Sequence, residues 1–161
     1  MRKITSRFTL VALLLTLFCM TGCVNVKKLQ QIRILDAKLE SVSPESLRQY
    51  VVTGSVTVAN PAAEVSVSEI SGVLEYNGKV IGSIAVDPVT LTAKSEQTYT
   101  LRADAKVADG IGIFELAKYM DKAVLKQCVV DLKADVRVRN GKVRTVELED
   151  IPLNKLLELI R

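Results

Sequence analysis

From Ile32 onward the chain is written in period two, with β-branched residues at the repeating positions, and this limits it to β architecture. The clearest run puts Cys128, Val130, Leu132, Ala134, Val136 and Val138 on one parity and Asp131, Lys133, Asp135, Arg137 and Arg139 on the other. Side chains alternate across a strand, so this pattern predicts one buried and one wet face, with Cys128 on the core side. Strands are predicted at Ile32 to Val42, Tyr50 to Ala59, Ser68 to Tyr76, Lys79 to Val86, Gln97 to Val107, Cys128 to Arg139 and Val143 to Leu148. Breaks fall at Ser43-Pro44-Glu45-Ser46, Asn60-Pro61 and Asp87-Pro88. About seven such strands in 161 residues suggest a single mainly β domain, an antiparallel sandwich.

Asn77-Gly78 and Asn140-Gly141 are hairpin signals, because a type I′ turn needs positive φ at both central residues. The second hairpin cannot be regular. A two-residue turn would set Val138 against Val143 and turn Val146 and Leu148 to the wrong face. A one-residue insertion near Arg144 or Thr145, or a three-residue turn with Gly141 in the left-handed region, would restore the match.

Helical periodicity occurs over Ile111 to Gln127, with Asp109 as the expected cap and Ile113, Ala117, Met120 and Val124 as the expected apolar stripe, Phe114 and Leu116 beside it. Lys118, Lys122 and Lys126 recur four apart and read as a solvated outer face, with a membrane-facing basic row as the alternative. A short helix is expected from Leu153 to Ile160, with Asp150 as N-cap and Pro152 in the first turn.

The N-terminus carries a different signal. Met1 to Arg7 is basic, Phe8 to Met20 is an apolar run too short to span a bilayer, and Met20-Thr21-Gly22-Cys23 resembles the lipobox of bacterial lipoproteins. The resemblance implies a signal peptide over 1–22, lipid on the thiol of Cys23, and a linker over 23–31 ahead of a domain at 32–161. An ordinary secretory peptide with Cys23 as a bystander is the alternative. Val24 in second place, rather than Asp, resembles the pattern that permits transfer to the outer membrane of a Gram-negative bacterium, facing the periplasm. Such cleavage would remove Arg2, Lys3 and Arg7 and lower the net charge from +4 to +1, nineteen basic against eighteen acidic residues. No basic excess then remains for nucleic acid. It would also remove Cys19 and use Cys23, leaving Cys128 as an unpaired structural thiol.

Zero His excludes Ser-His-Asp and Cys-His catalysis and His-ligated zinc. Gly110-Ile111-Gly112 has Glu115 where a dinucleotide fingerprint needs its third glycine, so it reads as a tight strand-to-helix turn. Glu147, Glu149 and Asp150 are the densest carboxylates and could bind a hard cation, but alternation separates Glu147 and Glu149 from Leu148 and Asp150 has a capping role, so they read as a solvated strand end. The reading is therefore no catalytic, cofactor-binding or metal-binding residues, and lipidation at Cys23.

The stretch from Val52 to Pro61 (VTGSVTVANP) and that from Val65 to Gly82, with its Ile70-Ser71-Gly72-Val73-Leu74-Glu75-Tyr76 pattern, resemble the late-embryogenesis-abundant type 2 family, including the water-stress and hypersensitive-response domain. The resemblance implies an immunoglobulin- or fibronectin-III-like sandwich with one helix, a membrane-tethered placement and an association with desiccation stress. Two roles are expected from this. One is a stress-protective or envelope-maintenance lipoprotein that holds clients or apolar ligands; the other is an accessory lipoprotein docking on an envelope complex through an edge strand or the Ile111 to Gln127 helix. Its partners would be membrane lipid, protein clients or that complex, with no nucleic acid.

Overall fold

The computed structural model describes residues 26–158; the signal-like segment and Cys23 lie outside the described residues. Twelve elements follow in chain order. A single turn α1 (Val26–Leu29) leads into β1 (Arg33–Pro44), β2 (Gln49–Asn60), β3 (Val65–Tyr76), β4 (Lys79–Val86), β5 (Val89–Leu91) and β6 (Ser95–Val107). Two short helices, α2 (Ile113–Tyr119) and α3 (Lys122–Leu125), precede β7 (Val129–Val138), β8 (Arg144–Pro152) and α4 (Leu153–Leu157).

The fold is mainly β, an antiparallel sandwich whose strands form one hydrogen-bonded path in the order β1-β2-β6-β4-β3-β7-β8. β2 and β6 pair without interruption from Gln49↔Lys106 to Asn60↔Ser95. The last part of β6 also pairs with β4, from Ala103↔Val86 to Val107↔Gly82, and so joins the two halves of the path. β3 is flanked by β7 on one side and by both β5 and β4 on the other. All seven predicted strands are present. The eighth, β5, is three residues long between Pro88 and Thr92, too short for alternation to register.

The parity of β7 is as expected. Cys128, Val130 and Val136 are buried, and Leu132 and Val138 pack against the core. One apolar cluster joins Leu29 and Ala62 to Val65 of β3, Val136 of β7, and Val146, Leu148 and Ile151 of β8. A second gathers Ile81, Val107, Ile111, Tyr119 and Cys128. Edge strand β1 buries only Ala37 and leaves Ile34, Leu35, Leu39 and Val42 exposed. Register shifts next to Leu35 and Glu40 break its regularity, as edge strands often do.

Both hairpins follow from local chemistry. Tyr76 pairs with Lys79 across Asn77-Gly78, whose φ values of 51° and 75° are those of a type I′ turn. The β7–β8 hairpin is irregular, as expected. Ala134 faces Val146 and Leu132 faces Leu148, a register one residue away from that of a two-residue turn. The register is that of the expected three-residue turn, with no insertion at Arg144 or Thr145, but Arg139 rather than Gly141 takes the positive φ of 51°. Gly141 N–H donates to the Val138 carbonyl at 3.0 Å. A Cβ on Gly141 would stand 2.9 Å from that same oxygen, which is why the turn closes on glycine.

A second irregularity sits at the far end of this pair. Between Leu132↔Leu148 and Val130↔Ile151, β8 holds one more residue than β7, and Asp150 has φ 54°. This bulge turns Ile151 inward beside Leu148, although the two are of opposite parity. Asp150 is therefore a bulge residue whose N–H donates to Asp131 Oδ1 at 2.8 Å, and not the expected N-cap; Pro152 occupies that place.

Candidate functional site

The long helix expected over Ile111 to Gln127 is two helices. Asp121 has an extended backbone, φ −64° and ψ 134°, and its carboxylate accepts the Ala123 N–H at 2.7 Å, so it ends one helix and caps the next. Gly112, without a side-chain cap, begins α2, and Asp109 reaches instead towards Lys106 at 3.9 Å. The Gly110-Ile111-Gly112 turn is as expected, with Gly110 at φ 89° and Ile111 buried in the second cluster.

The break changes which face is inside. Leu116 and Tyr119 pack inward, while Ile113 and Met120 are 65% and 68% exposed and Phe114 is 94% exposed. The expected stripe of Ile113, Ala117, Met120 and Val124 is thus corrected: its first three members face out, and only Val124 packs against the core. A stripe through both helices needs about 100° of turn per residue throughout, and Asp121 interrupts that progression.

A polar tie sets the inward face. Glu115 Oε1 accepts from Lys79 Nζ at 2.6 Å and from the Tyr119 hydroxyl at 2.8 Å, joining α2 to the β3–β4 hairpin. The Tyr119 ring lies 5.6 Å from that of Tyr76, tilted by 58°, a favourable aromatic arrangement. The hydrogen bonds to Lys79 and then to Tyr119 hold the Glu115 carboxyl below its ordinary range. The same contact raises Lys79 above its ordinary value of 10.5, and the hydrogen bond to Glu115 raises Tyr119. Lys118, Lys122 and Lys126 are exposed, and none has an ion pair among the described residues.

The opposite end of the sandwich is organised around Asn60, the one buried polar side chain among the described residues, at 1% exposure. Its Nδ2 donates to the carbonyls of Ala63 at 2.9 Å and Thr92 at 3.0 Å, with Leu91 O at 3.4 Å, and its Oδ1 accepts the Ala62 N–H at 2.9 Å. One amide thus ties the Asn-Pro break to the loop after β5. Sequence reasoning found Asn60 as the residue ahead of a proline and missed this role, because its partners lie about thirty residues away at Leu91 and Thr92.

Cys128 is buried, donates to the Val124 carbonyl at 3.4 Å, and has its thiol pushed up by burial, as befits a structural cysteine. Glu147 pairs with Lys133 at 2.8 Å, Glu149 is exposed and Asp150 is in the bulge, so the three carboxylates do not converge. Among the described residues, no three His, Cys, Asp or Glu side chains are grouped to hold a metal ion, and no helix is long and apolar enough to cross a membrane.

The sequence matches no family model and no curated protein. Among solved structures it is similar to a protein from Archaeoglobus fulgidus, at 15% identity and a TM-score of 0.44, over 72% of this chain and 96% of that one. It is also similar to part of a β-glucuronidase of glycoside hydrolase family 2, at 9% identity and a TM-score of 0.33, over 71% of this chain but only 11% of that one. A third is the ligand-binding region of serine-glutamate repeat protein A of Enterococcus faecium, at 21% identity and a TM-score of 0.22, over 71% of this chain and 92% of that one. Likeness at this level assigns no activity, ligand or partner to the chain.

Proposed function

We propose that this protein is a lipid-anchored envelope protein that acts by binding and position, without turnover. The observation that carries this reading is the order of basic residues, a thirteen-residue apolar run and Met20-Thr21-Gly22-Cys23 at the N-terminus. Acylation of Cys23, with each buried CH₂ contributing about 0.8 kcal/mol, makes attachment practically permanent once two or three chains are present. The address that fits Val24 is the periplasmic face of a Gram-negative outer membrane. The absence of imidazole from the whole sequence and the scattered carboxylates support a non-enzymatic role without cofactor or nucleic acid. Its role would then be the protective one associated with the late-embryogenesis-abundant type 2 domains it resembles, desiccation-type or envelope-maintaining, on protein clients.

Feeding radiolabelled palmitate to cells making the wild type or Cys23→Ser tests the anchor. Label in the wild type alone is expected, and equal labelling of both would remove it. Complementation of a deletion strain under desiccation by the anchored chain, and not by Cys23→Ser, is the expected functional result. A second reading, docking on an envelope complex, is favoured by the exposed apolar residues of edge strand β1.

A further inference from the structure

The α2–α3 tip spends apolar surface outward. Ile113, Phe114 and Met120 are all strongly exposed, and with Ala117 they occupy positions i, i+1, i+4 and i+7 of a helical turn, which share one face. Burying a Phe side chain contributes about 2 kcal/mol, and Phe114 forgoes it while Leu116 and Tyr119, on the other side of the same helix, are used for packing. Lys118 lies on the same helix, and Lys122 and Lys126 follow on and just after α3, all exposed and without ion pairs among the described residues, whereas Glu115 is engaged by Lys79 and Tyr119. Glu115 is paired with Lys79 and Asp121 caps α3 while keeping its charge, so the segment from Ile113 to Lys126 carries three lysines against two carboxylates.

We propose that this tip is a second membrane contact, seating Phe114 and its neighbours among the headgroups of anionic phospholipid. The chemistry is complementary on both counts. Large apolar side chains exposed on a helix enter the headgroup and acyl boundary without needing a preformed pocket, and each Lys beside an anionic surface adds roughly 1 kcal/mol of attraction. The contact need not be strong alone, because a tether converts it into an intramolecular event at high local concentration.

The strand register gives this contact a geometric consequence. β1 begins at Arg33↔Ala59, at the end of the sandwich where Ala59 also faces Glu96, whereas the tip leaves β6 after Lys106↔Gln49, at the other end. The twelve residues of β2 separate the two ends by roughly 36 Å at a strand rise near 3.3 Å. A domain tethered near Val26 and seated through Phe114 therefore lies along the membrane rather than standing on it. This orientation rests on the anchor proposed above; the lipid contact itself does not.

The sequence has no Trp, so Phe114→Trp places a single reporter at the tip. The mature chain from position 23 with Cys23→Ser is suitable for the experiment, since both core clusters lie wholly within residues 29–156. With vesicles of phosphatidylethanolamine and phosphatidylglycerol, the emission is expected to shift to the blue and to be quenched by brominated acyl chains. Phosphatidylcholine vesicles should give little shift, and Lys118→Glu with Lys122→Glu should weaken partition by about tenfold or more. Met120→Trp, made in parallel, should behave in the same way. Unshifted emission with phosphatidylglycerol, equal partition into both vesicle types, or a shift that grows with protein concentration without lipid would overturn the proposal, the last by pointing to a second copy as the occupant. Palmitate labelling reports on the anchor separately. Loss of label with a retained tryptophan shift would remove the tether and keep the contact, and the reverse would do the opposite.

Discussion

The two ends of this sandwich use polar and apolar side chains in opposite ways. At the Asn60 end a polar amide is fully buried, and among the described residues every buried side-chain nitrogen and oxygen has a partner, whereas at the α2–α3 end large apolar side chains stand in water and the main polar tie lies at the surface. The first arrangement is what stability requires, because an unpaired buried polar group costs about 1–3 kcal/mol. The second adds little to stability. Exposed Phe114, Ile113 and Met120 have no packing explanation among the described residues, and so they direct attention to what the domain touches.

The sharpest way to test this contrast is at Asn60. Asn60→Ala leaves the Ala62 N–H and the Ala63 carbonyl without this partner and the Thr92 carbonyl with only the Ser95 hydroxyl, and should destabilise the domain by about 3 kcal/mol in urea or guanidinium unfolding. A loss below roughly 1 kcal/mol would mean that water replaces the amide and that this end is not the rigid one. Gly54→Ala should come next. Its Cβ would stand 2.8 Å from the Lys38 carbonyl, and the strain should cost about 1–3 kcal/mol, appearing first as faster hydrogen exchange in β1.

Glu115→Gln should have the smallest effect. The global unfolding midpoint should scarcely move, because the tie to Lys79 is solvent-exposed, while the amides of α2 exchange faster. The pH dependence has a definite sign. Glu115 is lowered on folding, so its contribution is present above its unfolded value and is lost as pH falls through the folded one. Lys79 is raised, so its contribution is complete below its ordinary 10.5 and is lost as pH rises through the still higher folded value. Protection of the α2 amides, taken relative to their base-catalysed intrinsic exchange, that is flat from acid to alkaline pH would show that Leu116 and Tyr119 hold the helix without the tie.

How much of this was legible in the residues depended on range. The parity of β7, the Asn77-Gly78 turn, the shifted Asn140-Gly141 hairpin and the burial of Cys128 all follow from neighbours a few positions apart, and each is found as expected. The mistaken helical stripe had the same periodicity to read. It fails because the period requires Asp121 to continue one helix, whereas its short carboxylate is equally suited to capping a new one. Asp109 and Asp150 show the converse, two good capping residues placed where the chain is a turn or a bulge.

Local sequence was enough for the mainly β class, the strand positions, the hairpins and the lipobox-like N-terminus, because alternation, turn chemistry and targeting signals act through residues close together in the chain. The pairing order β1-β2-β6-β4-β3-β7-β8, the closure of Asn60 on Thr92, and the choice of Tyr119 over Phe114 as the buried aromatic were settled by folding. Each depends on a partner far away in sequence: β4 for β6, the loop after β5 for Asn60, and Lys79 through Glu115 for Tyr119. A helix with apolar residues on two sides can bury either one, and the side that meets the second core cluster is set by where Lys79 and Tyr76 stand when the strands have paired.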